Sequence, residues 1–402
     1  MSAANKKVFL FFCIGSGETA QAVGLAKSAR AKGIDCRFLI TDLAAARFAR
    51  QQSFRKITVI TKKPSRVTPR QRNEGYDAEE VAQIIEKACP DVLILCNSKA
   101  YSWGFITRPP KPKPLIVSLD SNWLFGQYQD VKMPSWIDVF LVIFPKKAFR
   151  AGLKKYGGHY NIAPRFLKKI TPVGFIPSWE KVTKPTKAAI RKKFNIARDE
   201  KLIFGYAGTG GTQRKEVLAK IFSALHVLNK KGLRYKLVYT GLKMPKRPWA
   251  IYAKQFLLKP ENFNFVLGSA DLAIFHQGLA SLSQAIHSQV PVISNIPPKG
   301  NYHSGAYHTS FYEIKTLERL GVCKTLFRNL PAKHLLQEIQ RLLENGYSRK
   351  TMQEQQKNLF EAGEQKALHI IIALLHEKQK QREPRRQKPG PRREIEYLKR
   401  QG

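Results

Sequence analysis

Short apolar runs alternate with amphipathic segments along the first 160 residues. The runs predict buried strands at 8–14, 36–40, 57–60, 92–96, 115–119 and 139–143. The segments between them predict helices that include 19–32, 78–88 and 146–156. Nearly continuous apolar strands that alternate with helices are typical of a parallel sheet covered on both faces. The first half therefore predicts an α/β domain.

The pattern breaks over 171–193, where prolines, a glycine and scattered charges replace it, as in a linker. It then restarts, with strands predicted at 202–205, 237–240, 263–266, 272–275 and 292–295. Helices are predicted at 214–229, 281–288, 307–320 and 332–344. We therefore predict a first domain over 1–175, a linker over 176–198 and a second α/β domain over 199–376. Residues 377–402 are basic and nearly free of apolar side chains, and we expect them to be disordered.

The charge balance limits the classes of partner. The 402 residues include 70 Lys and Arg against 29 Asp and Glu, for a formal net charge of +41. Such an excess favours anionic membranes, nucleic acids and phosphorylated ligands, unless it only reflects a generally basic proteome. The sequence has no zinc knuckle, RNA-recognition aromatic pair or helix-turn-helix pattern, so dedicated nucleic-acid binding is not expected.

The cysteines and apolar runs bear on the compartment. The five cysteines include no CxxC pair, so neither a disulfide framework nor a zinc site is expected. The apolar stretch 8–14 is too short for a signal sequence, and no window reaches the roughly 18 apolar residues of a spanning helix. We expect a cytoplasmic protein whose membrane contact, if it has any, is peripheral on the inner face.

Two segments of the second half carry the pattern of a phosphate-binding site. A glycine-rich turn at 205–212, GYAGTGGT, follows a predicted strand and precedes a predicted helix. Backbone N–H groups at such a helix start attract phosphate, although many such turns are only turns. Residues 270–297 read ADLAIFHQGLASLSQAIHSQVPVISNIP, with a His-x-Gly turn and a hydroxyl residue at a helix start.

Segment 270–297 resembles the donor-binding segment of GT-B glycosyltransferases, which have two Rossmann-like domains facing across a cleft. The resemblance implies that His276 contacts the diphosphate, Gly278 forms the turn and Ser281 binds phosphate. Gln284 stands where the family has the acidic residue that holds the ribose, and an amide binds a ribose more weakly. The implied donor-binding residues are Gly208, Thr209, Gly210, Gly211, Thr212, His276, Gln277, Gly278, Ser281 and Gln284.

Residues 13–22, CIGSGETAQA, resemble the N-terminal glycine loop of the same family. The likeness is greatest to the lipid-acceptor group, the undecaprenyl-linked N-acetylglucosaminyltransferases and monogalactosyldiacylglycerol synthases. Those enzymes have a histidine near the position of Glu18. The resemblance implies acceptor binding at Gly15, Ser16, Gly17 and Thr19, and Asn122, which follows the strand end at Asp120, is a further candidate acceptor-binding residue.

Two carboxylates are the candidate catalytic groups of the first domain. Glu18 is a candidate base for an acceptor hydroxyl, or else a partner of the helix dipole. Asp120 follows a strand at its carboxyl end, where α/β sheets place functional groups, or else it is a turn residue.

Basic, partly apolar loops occur in the first domain, among them FPKKAFRAGLKKYGG at 144–158. A helix there would place Phe144, Phe149 and Leu153 among five lysines and arginines. It either lies on an anionic bilayer with its aromatic side chains inserted, or packs its apolar side against the sheet.

The resemblance implies transfer of a hexosyl or N-acetylhexosaminyl group from a nucleotide sugar to a hydroxyl acceptor. UDP is the expected nucleotide of the donor, and the expected acceptors include lipid-linked molecules. No metal or cofactor is expected beyond the nucleotide-sugar co-substrate. Two alternatives stay open: a non-catalytic GT-B-like binding or scaffold protein, and a nucleotide-sugar epimerase. The oligomeric state is left open.

Overall fold

A computed structural model describes nine stretches of the chain. These are residues 6–60, 78–96, 113–121, 136–157, 168–208, 214–240, 250–252, 260–296 and 311–381.

The first sheet has seven parallel strands in the order β3-β2-β1-β4-β5-β6-β7. Its strands are β1 Val8–Cys13, β2 Asp35–Ile40, β3 Ile57–Val59, β4 Val92–Leu95, β5 Leu115–Asp120, β6 Val139–Val142 and β7 Ile170–Pro172. The central strands are buried on both faces because helices cover both sides. The strand order reverses between β1 and β4, and the carboxyl ends of strands at such a reversal are where open α/β sheets usually bind ligands.

The second sheet has six parallel strands in the order β10-β9-β8-β11-β12-β13. Its strands are β8 Lys201–Tyr206, β9 Tyr235–Thr240, β10 Ala250–Tyr252, β11 Leu272–His276, β12 Val292–Ile296 and β13 Lys324–Phe327. The order reverses between β8 and β11. The chain is therefore an α/β protein with two Rossmann-like domains, as the alternating pattern predicts.

Twelve helices occur in the described part of the chain. Those up to the second sheet's first strand are α1 Ser16–Ala31, α2 Leu43–Gln51, α3 Ala78–Ala88, α4 Lys146–Tyr156 and α5 Lys184–Lys193. The later ones are α6 Arg214–Lys230, α7 Pro260–Ser269, α8 Leu279–Ser288, α9 Phe311–Arg319, α10 Ala332–Glu344, α11 Gly346–Leu359 and α12 Glu364–Lys380. No helix among the described residues combines the length and the apolar character that crossing a membrane requires.

One predicted strand is wrong. The apolar residues at 263–266 lie within helix α7, which begins at Pro260. A four-residue apolar run cannot distinguish a strand from a buried helical turn. The pattern also missed three short strands, β7, β10 and β13, which have three, three and four residues.

The chain crosses between the two sheets twice, and the two crossing segments are joined by backbone hydrogen bonds. Phe175 donates its backbone N–H to the Glu361 carbonyl at 2.7 Å, and Gly363 donates to the Phe175 carbonyl at 2.7 Å. After the second crossing, α12 packs on α1 and β5 of the first sheet. The predicted domain limits stay predictions, but α12, which they assign mostly to the second domain, lies against the first.

Candidate functional site

The carboxyl ends of β8 and β11 bring together the two glycine turns of the second domain. Phe275 pairs with Tyr206 in the sheet, so the residues that follow each strand are neighbours. Gly208 has a φ of +82°, and a Cβ built on it would lie 3.1 Å from Nδ1 of His276. The imidazole therefore lies against the backbone of the glycine-rich turn, and only glycine fits there without strain.

Helix α8 begins directly after this imidazole. Gly278 is its N-cap residue and, as a glycine, has no side chain to cap the helix start. The first N–H groups of a helix have no partner within the helix, and together with the helix dipole they attract anions. Ser281 lies in the first turn with a partly exposed side chain. His276, Gly278 and Ser281 thus lie together at one helix start, as predicted from the sequence.

The start of α1 lies next to the start of α8. A Cβ built on Gly17 would be 3.9 Å from the Cβ of Ala280, and the two helices are in contact. Helix α1 also has a glycine, Gly15, as its N-cap residue. Two helix N-termini therefore meet where the two domains face each other, and the dipole of each helix favours negative charge nearby.

The remaining predicted residues of the first glycine loop take different places. Gly15 and Ser16 are partly exposed, whereas Thr19 is fully buried. The Thr19 hydroxyl donates to the Gly15 carbonyl at 2.8 Å, so Thr19 stabilises the helix start. Glu18 bends back over this turn, because a Cβ on Gly15 would lie 2.6 Å from its Oε2. In that position the Glu18 carboxylate can interact with the dipole of α1, which is one of its two predicted roles. The carboxylate is also partly exposed where the two domains meet.

Asp120 lies at the end of β5 with 8% of its surface exposed. The pKa of the nearby Cys96 thiol is raised well above its usual value, first by burial, then by Cys13 and by the charges of Glu18 and Asp120. Cys13, Cys96 and Asp120 end or follow β1, β4 and β5, and Glu18 lies in the first turn of the helix after β1. The two predicted catalytic carboxylates therefore belong to the same carboxyl edge of the first sheet.

Gln284 does not lie at the exposed helix start. It is 1% exposed, and its Nε2 donates to Oδ1 of Asn264 at 3.1 Å and to the Trp179 carbonyl at 3.4 Å. Its amide thus joins α8 to α7 and to the linker. Sequence reasoning did not find Asn264 or Trp179, because contacts 20 and 105 residues away leave no local signal.

Gln277 is buried, and its backbone N–H donates to the Asn295 carbonyl at 3.0 Å. Its Oε1 accepts a hydrogen bond from Nη2 of Arg328 at 3.4 Å. Sequence reasoning missed Arg328 because it follows β13, a strand that was not predicted. The predicted site residues Thr209, Gly210, Gly211, Thr212 and Asn122 lie outside the described residues. Within the described stretches, no three His, Cys, Asp or Glu side chains are arranged to bind a metal ion.

Comparisons with known proteins identify the fold. No family model matches the chain, and no curated protein matches its sequence. Among solved structures, S. aureus MnaA in complex with UDP is 13% identical, with a TM-score of 0.62 over 92% of this chain and 97% of that one. The glycosyltransferase SnogD from Streptomyces nogalater is 14% identical, with a TM-score of 0.58 over 92% of this chain and 100% of that one.

A third structure, from Listeria monocytogenes, is assigned as a UDP-N-acetylglucosamine 2-epimerase. It is 13% identical, with a TM-score of 0.60 over 90% of this chain and 92% of that one. The chain thus has the GT-B architecture of two Rossmann-like domains, shared with glycosyltransferases and with an epimerase over nearly its whole length.

Proposed function

We propose that this protein binds a nucleotide sugar at the start of α8 and transfers its hexosyl or N-acetylhexosaminyl group to a hydroxyl acceptor. The observation that carries the proposal is the convergence of His276, Gly208 and the glycine-capped start of α8 beside the start of α1. An imidazole donor and the N-terminus of α8 suit the diphosphate of a nucleotide sugar. UDP is the first choice of nucleotide because the similar MnaA structure holds it.

The leaving group explains why charge is needed here. The acceptor oxygen attacks the anomeric carbon while the bond from that carbon to the diphosphate oxygen breaks, so negative charge develops on the diphosphate. His276, the Ser281 hydroxyl and the N–H groups of α8 stabilise that charge. A metal ion is not required for this role, since the donors are supplied by the protein.

The acceptor would enter from the first domain, beside Gly15, Ser16 and Gly17. The attacking hydroxyl must lose a proton, and Glu18 is the better placed of the two carboxylates because it is the more exposed. Asp120 lies deeper and would orient the acceptor or share the proton. A general base of this kind contributes a factor of about 10² to 10⁴ to the rate.

Donor binding is tested by calorimetric titration with UDP, UDP-glucose, UDP-N-acetylglucosamine, GDP and TDP. We expect wild-type protein to bind one nucleotide class, and His276→Ala and Ser281→Ala to bind it at least about tenfold more weakly. His226→Ala and Ser223→Ala are matched controls, because both side chains are exposed on α6. Absence of binding to every nucleotide, or equal binding by the site variants and controls, would refute the donor site.

The transfer step is tested separately with Glu18→Gln. This variant should keep nucleotide affinity and lose about 10² in the rate of sugar transfer. An unchanged rate with a hydroxyl acceptor would remove Glu18 from the chemistry.

A non-catalytic binding protein is the second candidate, favoured by Gln284. Its amide is engaged with Asn264 and replaces a carboxylate expected at that position. Nucleotide binding without hydrolysis, transfer or epimerisation of any bound sugar would support this candidate. Conversion of UDP-N-acetylglucosamine to its 2-epimer without an acceptor would instead support the epimerase.

Membrane association is a further part of the proposal, and the structure limits its form. Phe144 and Phe149 are buried in the core. The prediction that these aromatic side chains insert into a bilayer is therefore wrong. The cations of α4 remain exposed at Lys146, Lys147, Arg150, Lys154 and Lys155. This helix can therefore contact a membrane only electrostatically, through anionic lipids such as those around a lipid-linked acceptor.

Flotation with phosphatidylserine-containing vesicles tests this contact. We expect binding that falls with salt and that weakens in a Lys154→Glu, Lys155→Glu double variant. A Lys192→Glu, Lys193→Glu variant on α5 makes the same charge change at another exposed pair. Equal loss in both variants would show that only net charge matters and would exclude α4 as the contact.

A further inference from the structure

Arg328 is a buried cation at the carboxyl edge of the second sheet. It follows β13 directly, is 9% exposed, and donates its backbone N–H to the Ile296 carbonyl at 2.9 Å. Removing a guanidinium from water costs several kcal/mol, which nearby acceptors or anions must offset. A charge in this position therefore contributes more to the local potential than an exposed arginine does.

The guanidinium reaches across the end of β12 to the turn that follows β11. Its Nη2 donates to Oε1 of Gln277 at 3.4 Å. Gln277 stands between His276 and Gly278, and its backbone N–H is held by the Asn295 carbonyl at 3.0 Å. The turn that carries the imidazole is thus fixed by its backbone and by this side-chain contact.

A second cation lies beside Arg328. Nζ of Lys220, on α6, donates to the Phe327 carbonyl at 3.3 Å and to the Arg328 carbonyl. Burial lowers the pKa of Lys220, Glu216 opposes that change, and the charge of Arg328 lowers it further. Arg328 and Lys220 therefore place two cations at the edge of the sheet where α8 also begins.

We propose that Arg328 is a positioning residue of the donor site, which fixes the His276–Gly278 turn through Gln277 and adds positive charge behind the diphosphate. The inference rests on the proposed function. It predicts that Arg328 contributes to recognition of the diphosphate and not of the nucleoside.

The experiment compares the affinities for UDP and for uridine by calorimetric titration. Arg328→Met should weaken UDP binding on the order of tenfold, leave uridine binding unchanged and reduce the salt dependence of UDP binding. Arg319→Met is the matched control, because it removes the same charge from an exposed position of the same βα unit. It should leave all three quantities unchanged.

Each outcome decides a different statement. Equal loss of UDP and uridine in Arg328→Met would indicate a purely structural role and overturn the inference, as would unchanged UDP affinity. If Arg328→Met does not fold, the Arg328→Lys variant tests the inference instead. It should lose UDP affinity severalfold through the lost Gln277 contact while keeping the wild-type salt dependence, and wild-type affinity would overturn the inference. Failure of wild-type protein to bind UDP or any other nucleotide would refute the proposed function itself.

Discussion

We expect His287 to lower the stability of the protein when the pH becomes mildly acidic. The ring lies on α8, partly buried, with its centroid 4.7 Å from that of Phe360 near the second crossing between the sheets. Neither ring nitrogen has a hydrogen-bond partner among the described residues. Burial, followed by the charge of Lys181, lowers the pKa of His287 from 6.5 to about 4. The folded protein therefore holds this imidazole in the neutral form.

The direction of the effect follows from proton binding. Between pH 6.5 and 4 the unfolded chain protonates His287 while the folded protein does not, so acidification stabilises the unfolded state. The stability contributed by the neutral ring is complete above pH 6.5 and is lost as the pH falls toward 4. The pKa difference lowers the free energy of unfolding by about 2 kcal/mol at pH 5, an upper bound because the ring keeps some contact with water.

Urea denaturation at pH 7.5, 6.0 and 5.0 measures this loss. We expect His287→Leu to show a shallower fall than wild type, by up to about 2 kcal/mol between the first and last pH. Only the pH dependence is compared, so a constant change in stability from repacking does not matter. His369→Leu, at an exposed position of α12, is the control and should follow the wild-type curve. Parallel curves for wild type and His287→Leu would refute the reasoning.

Four further substitutions test three glycines and a buried amide. Gly208→Ala should lower UDP affinity about tenfold by calorimetry, because it strains a positive φ and displaces His276; wild-type affinity would contradict the site geometry. Gly174→Ala should destabilise the fold by about 2 kcal/mol or more in urea denaturation, since its φ is +107° and its Cβ would lie 2.4 Å from a backbone carbonyl of the returning chain. Gly157→Ala, with no atom within 4 Å of its Cβ, should change stability little. Gln356→Leu should cost about 2 to 3 kcal/mol in the same assay, because it removes hydrogen bonds at 2.9 and 3.0 Å to two buried carbonyls; a smaller loss than in Gly157→Ala would contradict this.

The sequence contains most of the information on the two sheets. Runs such as VFLFFC in β1 and LIVSLD in β5 are apolar at nearly every position because both of their faces are covered. The glycine turns after β1, β8 and β11 are visible for the same reason, since each ends a buried run. These local signals predict the two Rossmann-like domains, the helices that were assigned and every assigned strand except 263–266, and the structure confirms them.

Elements with weak or ambiguous local signals were harder to predict. Helix α7 was predicted as a strand from its apolar center, although Pro260 at its start favours a helix. The short edge strand β13 contains Lys324 and Thr325, whose side chains contact Glu318. Its pairing with β12 provides the stability that its composition does not.

The residues of the candidate site also differ in whether local sequence or long-range contacts determine their positions. His276, Gly278 and Ser281 are consecutive enough to be grouped by sequence, and the structure brings them together. The engagement of Gln284 by Asn264, and of Gln277 by Arg328, depends on contacts between distant segments. Such contacts are set by helix packing, which no local pattern encodes.

The return of α12 to the first sheet has a consequence for synthesis on the ribosome. Ala367, Leu368 and Ile371 of this helix complete the core around α1, and Lys378 pairs with Asp138 beside β6 at 2.9 Å. A nascent chain that has just emerged through β7 still lacks this covering helix, and its apolar surface stays open while nearly two hundred more residues are translated. The second domain can close its own sheet during that time, so the first domain to be made is the last to be finished.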